Sequence, residues 1–383
     1  MKVSNITTMV LGTPWRNLSY VKVETDDGLV GWGECRSVAR TEALIAYLES
    51  RGRHYILGTD PFDIESLVNR MYYHDYARAN DICGSAIAML EMACWDIMGK
   101  AVNKPVYKLL GGAVHTKLKA YANGWYTVER KPEEFHKAAK KVVERGYKAL
   151  KVDPFGAGFL EMERKEKKLS VSLIESIRDA IGPDVEIMVE MHGRFSPATA
   201  IDISSMLEEF DPSWIEEPVP PDNIDALRRV SEKVNIPVAT GERCHTRFET
   251  RDLLERGKID ILQTDITHTC GILEGKKIAA MAEAHYVTFA PHNVGGPVST
   301  AANLHLAATT PNFKIQEHFN DFVDEWVKQA ATGPGYPAVK DGYFPLPEGP
   351  GLGVTVNEDF IKEHPATIAV FNLFEKDWHR RQK

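Results

Sequence analysis

From about Lys119 onward, short apolar or β-branched runs alternate with amphipathic helical stretches, and this rhythm constrains the fold of the 383-residue chain more than any other feature. The runs are Leu118–Ala122, Ala149–Val152, Val185–Val189, Trp214–Ile215, Pro237–Thr240, Ile259–Thr264, Val287–Ala290 and Phe313–Gln316. Helical segments lie between them; Pro132–Arg145, for example, opens with Pro-Glu-Glu, which suits a helix N-terminus. Eight strands alternating with helices over about 200 residues predict an α/β fold, a (β/α)₈ barrel of the TIM type. A doubly wound sheet is the structural alternative. Against it, no G-x-G-x-x-G follows a strand: Gly156-Ala157-Gly158 begins one and fails at Glu161, and Gly271 to Lys276 is one residue short of a P-loop.

What terminates the runs is as informative as the runs. Val189 leads into Glu190, Ile215 into Glu216, Thr240-Gly241 into Glu242, Thr264 into Asp265, Pro291 into His292 and Gln316 into Glu317. The steps are 26, 26, 23, 27 and 25 residues, the length of one compact βα unit. Six polar side chains then sit at successive strand ends, on the barrel face that carries active sites in this architecture. Lys151 and Asp153 end the Ala149–Val152 run in the same way. Any one acid after a strand is explained as a helix cap, but independent caps vary in type, with Ser, Thr and Asn common. Three successive units here give Glu. Three carboxylates converging in a barrel mouth repel one another unless a cation offsets them, and an all-oxygen set selects a hard ion: Mg²⁺ first, with Mn²⁺ or Ca²⁺ behind it. No Cys/His set has zinc spacing. Period-two geometry sends Glu216 and Glu217 to opposite faces, so one of them is a ligand. Asp265 and His292, from adjacent strand ends, form a candidate general base, the carboxylate fixing the imidazole tautomer. His192 shares the mouth-facing side with Glu190 and is a second acid/base candidate; His245 reads equally well as an ordinary loop residue.

The first hundred residues have another texture. Tyr20–Thr25 alternates, Asp26-Asp27-Gly28 turns and Leu29–Glu34 returns, a hairpin pattern. From about Ile64 to Leu110 apolar residues recur at helical spacing, and Gly111-Gly112 ends the stretch. Strands then helices in blocks predict an α+β capping domain over 1–115, ahead of a barrel over 116–325. The turn-rich tail, 326–383, is expected to return to the first domain. Lys+Arg 46 against Asp+Glu 54 gives a net charge of −8, with no basic block, which argues against nucleic acid or an anionic membrane as the main partner. No run of about 18 apolar residues predicts a membrane span, and the opening fifteen residues, with one Lys and no apolar core, do not read as a leader. Five scattered cysteines without a C-x-x-C pair predict a reduced, cytoplasmic protein.

The segments GYKALKVDPFG, VEMHGRF, WIEEPVPP, ATGERCHTRF, ILQTDITHTCGI, FAPHNVGGP and IQEHF resemble the enolase superfamily, mandelate racemase subgroup. YANGWY and the early GWGE and CWDIMGK match as well, and the likeness covers nearly the whole chain. Within the subgroup it is similar to the gluconate and galactonate (sugar-acid) dehydratases. The resemblance implies that superfamily's chemistry, a Lys or His base working with Mg²⁺ on an ene-diolate. The resemblance implies Glu190, Glu216 and Glu242 as magnesium ligands, Asp265 and His292 as the base dyad, and Glu317 as a hydrogen-bond partner of the substrate carboxylate. It implies His192 as the acid that helps a hydroxyl leave, an aldonate or aldarate substrate, and a homo-oligomer. Two departures stand out. The second strand reads Lys151-Val152-Asp153 where the family often has Lys-x-Lys, which counts against a racemase, and the first ligand is Glu190 where many relatives have Asp.

The expected reaction is removal of the C2 proton by His292, loss of the C3 hydroxyl with help from His192, and tautomerisation to a 2-keto-3-deoxy acid, with Lys151 and Glu317 beside the substrate carboxylate. Trp15, Arg16 and Arg78 are candidates for a polar lip, with an equal reading as surface loop residues. A racemase or cycloisomerase on the same scaffold, and a non-catalytic acid-sugar binder, remain as alternatives. The sequence does not name the sugar acid.

Overall fold

A computed structural model describes residues 1–76, 81–322, 325–369 and 371–381. The chain opens with β1 (Val3–Gly12), β2 (Asn17–Thr25) and β3 (Val30–Cys35), an antiparallel sheet in that order. The predicted hairpin is β2–β3, with Gly28 at φ +86° in its turn; β1, which the alternation did not reveal, adds the third strand. Five helices follow: α1 (Thr41–Tyr47), α2 (Arg53–Ile56), α3 (Ile64–His74), α4 (Asp81–Ala101) and α5 (Val106–Leu109). β3 lies so close on α4 that a Cβ at Gly31 or Gly33 would fall on the carbonyl oxygens of Ala93 and Met89. Glycine is required there by contact, not by turn geometry. By length and mean hydropathy alone α4 could cross a membrane, but it carries Glu91, Asp96 and Lys100, and 89% of its apolar window is buried within the fold. It is the core helix of this unit.

The second unit alternates β4 (Lys117–Ala122), α6 (Pro132–Glu144), β5 (Ala149–Val152), α7 (Arg164–Ile181), β6 (Glu186–Glu190), α8 (Pro197–Leu207), β7 (Trp214–Glu216) and α9 (Ile224–Ser231). It continues through β8 (Val238–Thr240), α10 (Arg247–Arg256), β9 (Ile261–Leu262), α11 (Ile272–Ala284), β10 (Thr288–Phe289), α12 (Pro297–Ala308) and β11 (Gln316–His318). These strands are parallel, in the order β10-β9-β8-β7-β6-β5-β4-β11. A parallel bridge between Phe289 and Phe313 closes the circle, with Phe289 N donating to Asn312 O at 2.9 Å and Lys314 N to Phe289 O at 2.8 Å. Seven predicted runs therefore contain or overlap barrel strands closely, and the eighth is displaced: β11 begins at Gln316, where the run Phe313–Gln316 was expected to end. The eighth unit is incomplete: among the described residues β11 is followed by a 3₁₀ segment, Glu325–Ala330, and not by an α-helix.

The tail holds β12 (Ala331–Thr332), β13 (Tyr343–Pro345), β14 (Thr355–Val356) and α13 (Glu358–Glu363). β13 pairs antiparallel with the start of β4, and β12 pairs with β14. Beyond α13 the chain meets the first sheet: His364 O accepts from Gly12 N at 2.9 Å, and Asn17 Nδ2 donates to Thr367 O at 2.8 Å. The last described residues continue to the barrel, where Trp378 Nε1 donates to Gly156 O at 2.9 Å.

Inside the barrel, one inward side chain per strand forms a buried floor: Tyr121, Ala149, Met188, Trp214, Ala239, Ile261, Ala290 and Ile315. Alternation along a strand then fixes what stands one step above that floor.

Candidate active site

Two residues past each floor position the polar groups appear: Asn123, Lys151, Glu190, Glu216, Gln263, His292 and Glu317. β8, the fifth barrel strand, breaks the count. Two past Ala239 is Gly241, at φ +132°, and the extra residue brings Glu242 to the mouth in its place. A side chain at that φ is strained, and a Cβ would also press on Leu262 and the backbone nitrogen of Gln263. One step higher on the same faces stand Asp153, His192 and Asp265.

These groups converge. One carboxylate oxygen each from Glu190, Glu216 and Glu242 lies within 4.8 Å of the others. Lys151 Nζ sits behind them, 2.6 Å from Glu216 Oε1, 3.1 Å from Glu317 Oε1 and 3.4 Å from Glu190 Oε2. Trp214 Nε1 and Gln263 Nε2 also donate to Glu216 Oε2, at 3.0 and 2.8 Å. Glu190 Oε1 accepts from His192 N at 2.6 Å, whereas its Oε2 is buried and accepts no hydrogen bond. An oxygen-only donor set with a bare buried carboxylate oxygen suits a hard divalent cation. Burial alone would discharge Lys151, but Glu216, Glu317 and Glu190 outweigh it and hold its pKa well above the ordinary lysine value. Burial and then Glu216 push Glu190 well up; for Glu216 itself burial is overcome by Lys151, and its pKa is held at about 2.

Glu317 is fully buried, accepting from Asn123 Nδ2 and Asn293 N, both at 2.7 Å. His292 Nδ1 lies 2.8 Å from Asp265 Oδ2, and its Nε2 is 3.4 Å from Glu242. Asp265 Oδ1 accepts from Thr267 N and Oγ1, at 2.8 and 2.7 Å. Burial disfavours a charged His292, yet Glu242, Glu317 and Asp265 lift its pKa to about 10. Across the mouth, His192 Nδ1 is 2.6 Å from Asp153 Oδ2, and burial draws this histidine below its ordinary pKa.

A cavity of about 480 Å³ opens onto these residues; its lining includes Lys151, Glu190, His192, Glu242 and His292. The larger open groove of about 870 Å³ beside Gly156–Met162 holds none of the candidates. Trp15 and His245 line the mouth cavity. Arg16 does not: it is buried, its guanidinium donating to Val294 O and Asn320 Oδ1, and so ties the first unit to the barrel. Arg78 lies outside the described residues. As expected, Glu217 turns away from Glu216, to Arg243 at 2.8 Å. Sequence reasoning missed Asn123, Gln263 and Asn293, whose signal was the count of two from the floor for the first two and mere adjacency to His292 for the third. It also missed Arg36 from the end of the first sheet and Phe371, Leu373 and Arg381 from the tail, all in the cavity wall and without any local signal.

Comparison with known proteins agrees with this geometry. Residues 134–360 match the enolase C-terminal domain-like family, and residues 6–111 match the mandelate racemase/muconate lactonizing enzyme N-terminal domain. The chain is 35% identical to a D-gluconate/D-galactonate dehydratase of Picrophilus torridus, over 96% of this chain and 93% of that protein. It is 36% identical to a D-galactonate dehydratase of Pectobacterium atrosepticum, over 95% and 94%. The solved structure of a mandelate racemase/muconate lactonizing enzyme from Sulfitobacter superposes with a TM-score of 0.90 at 34% identity, covering 96% of each chain.

Proposed function

Since the chain belongs to the mandelate racemase/muconate lactonizing enzyme family of the enolase superfamily, we propose that it is a Mg²⁺-dependent sugar-acid dehydratase acting on an aldonate of the gluconate or galactonate type. The observation that carries the reading is the meeting of three clustered carboxylates with a histidine held by an aspartate, at a cavity lined by Glu190, Glu242 and His292.

Glu190, Glu216 and Glu242 would hold the ion. Bound Mg²⁺, Mn²⁺ being the substitute, supplies positive charge to the substrate carboxylate and to the ene-diolate oxygens. The chain's own groups do the rest. Lys151, kept charged by its acidic neighbours, and Glu317 behind it set the electrostatics where the substrate carboxylate lies. Asp265 fixes the His292 ring through Nδ1, leaving Nε2 to take the C2 proton. His192, on the opposite side of the mouth, gives a proton to the departing C3 hydroxyl, and the enol formed becomes a 2-keto-3-deoxy acid. Trp15 and Arg36 close the cavity over the rest of the chain of hydroxyls. A cytoplasmic homo-oligomer belongs to the same proposal.

A semicarbazide assay for 2-keto acids over a panel of aldonates and aldarates, with Mg²⁺, tests it. Turnover of gluconate or galactonate that disappears in His292→Asn and in chelator is the expected result. C2 deuterium exchange without 2-keto acid would move the assignment to a racemase or epimerase. Silence in both assays would leave an acid-sugar binder.

A further inference from the structure

We propose that Asp153 and Arg194 make His192 the head of a second His–Asp dyad, with Asp153 as the positioning residue that presents Nε2 of His192 to the leaving hydroxyl; this rests on the dehydratase reading above. Asp153 stands where relatives with Lys-x-Lys carry an amine, four residues past the floor residue Ala149, and is 1% exposed. Its Oδ2 takes both His192 Nδ1 and Arg194 Nη2, each at 2.6 Å, and its Oδ1 accepts from Phe155 N at 2.9 Å. The imidazole is fixed from two other sides. Its backbone, at φ +48°, donates N–H to Glu190 Oε1 at 2.6 Å, and the Trp378 ring meets it edge-on, centroids 5.2 Å apart at 90°. With Nδ1 held, Nε2 is the edge left for the cavity that His192 lines.

The two dyads come from opposite walls. β5 and β6 supply Asp153 and His192, β9 and β10 supply Asp265 and His292, and each pair lies four strands from the other in an eight-strand circle. They also differ in what grips the aspartate. Asp265 accepts from Thr267 and has His268 Nε2 at 4.0 Å, whereas Asp153 is paired with Arg194 Nη2 at 2.6 Å. The guanidinium is itself fixed, by Gly156 O at 2.5 Å and Met191 O at 3.2 Å. In both dyads the carboxylate holds Nδ1 and so turns Nε2 toward the cavity, and Arg194 keeps the Asp153 carboxylate in that place. In the reaction the C2–H bond breaks, its proton goes to His292 Nε2 and its electron pair enters the ene-diolate. That pair then forms C2=C3 as the C3–O bond breaks, the oxygen takes the Nε2 proton of His192 in its imidazolium form, the ring keeping its Nδ1–H on Asp153, and water leaves.

Asp153→Asn separates the two half-reactions. With the aldonate that the wild type dehydrates, kcat for 2-keto acid should fall about 100-fold with KM changed less than threefold. Wash-in of solvent deuterium at C2 should persist, raising the ratio of exchange to elimination. Fluoride release from the 3-deoxy-3-fluoro analogue, which needs no proton on its leaving group, should fall less than threefold. Asp153→Glu, which keeps the carboxylate, should recover at least tenfold of the lost kcat. If Asp153→Asn does not fold, Asp153→Ser, which also lacks the carboxylate, is read by the same ratio, and an unchanged ratio overturns the dyad. Equal loss of exchange, water elimination and fluoride elimination also overturns it. A wild type that neither dehydrates nor exchanges any aldonate overturns the dehydratase reading and the dyad with it.

Discussion

Buried acids gather in two regions of this molecule, and they are solved in opposite ways. Along the seam between the first unit and the barrel, each acid is met by donors. Glu34 at the end of β3 accepts from Val298 N at 2.9 Å, Ser299 N at 3.3 Å and Gly296 N, capping α12 from a point 262 residues away in sequence. Glu91 of α4 accepts from Ile272 N and Leu273 N, at 2.9 and 2.8 Å, and so caps α11. Asp96 takes Trp32 N, Leu352 N and Lys100 Nζ. In the barrel mouth, Glu190 keeps a buried oxygen that accepts no hydrogen bond, with Lys151 Nζ 3.4 Å away, and Glu242 has His292 Nε2 at 3.4 Å beside it. Burial is common to both sets, so burial does not separate structure from chemistry. The kind of donor does: an acid satisfied by helix N-terminal N–H groups is a fastener, whereas acids gathered about one another and Lys151, as Glu216 is, hold a place for a cation.

The sharpest break of that comparison removes one acid from each set. Glu242→Gln should lower kcat/KM about 10⁴-fold, equal to about 5 kcal/mol, while the metal-free protein unfolds at the same or a higher urea concentration, because a repelling charge is gone. Glu34→Ala should do the reverse. It leaves the α12 N–H groups without an acceptor in a dry seam and should cost about 4 kcal/mol in urea unfolding, with the Mg²⁺ affinity of the folded fraction unchanged. Were Glu242→Gln the less stable variant, donors would not be what separates the two regions.

How much of this could be read from residues alone follows the same division. The barrel was legible because each strand repeats one local grammar, an apolar run and then a polar terminator, and local grammar survives in sequence. The mouth acids, His292, Asp265 and Lys151 came out with it. The seam did not, since the partners of Glu34 and Glu91 are 181 to 265 residues distant and nothing local announces them. Gly241 shows the finer limit: the acid after it was found by position along the chain, but its one-residue displacement from the common count needed the backbone angle. The segment after the last barrel strand, which leaves the strand–helix rhythm in the sequence as well, lacks an α-helix for a physical reason of the same kind. β13 pairs with β4 and the tail crosses the first sheet, so that segment is spent in long-range contacts. Arg16 follows the pattern too, read as a lip residue and found fastening the seam.

A neutral group at the seam gives a pH test. His305 in α12 is fully buried, accepts from Tyr107 N at 3.2 Å, and burial lowers its pKa to about 4. The unfolded chain binds a proton there near pH 6.5 and the folded one does not, so the contribution is complete above pH 6.5 and is lost as pH falls toward 4. Stability should drop by about 3 kcal/mol over that interval. His305→Leu should flatten the slope in urea unfolding measured at several pH values; a wild-type profile with no fall between pH 6.5 and 4 would refute it.

The smallest effect bears most directly on the contrast, because it asks whether the two sets of acids act independently. Mg²⁺ at a hundredfold its Kd should stabilise the wild type by about 2.7 kcal/mol. Glu34→Ala starts from a lower baseline but keeps its mouth, so it should gain the same increment, distant sites without shared partners being additive within about 0.5 kcal/mol. Glu190→Gln should gain little, although its seam is whole. The reading is thermal or urea unfolding of the three proteins with and without Mg²⁺, with Ca²⁺ run beside it to test the preference for a small ion. If Glu34→Ala lost the increment as well, the seam would be holding the mouth in its cation-ready arrangement. The acids along it would then belong to the chemistry as much as to the fold.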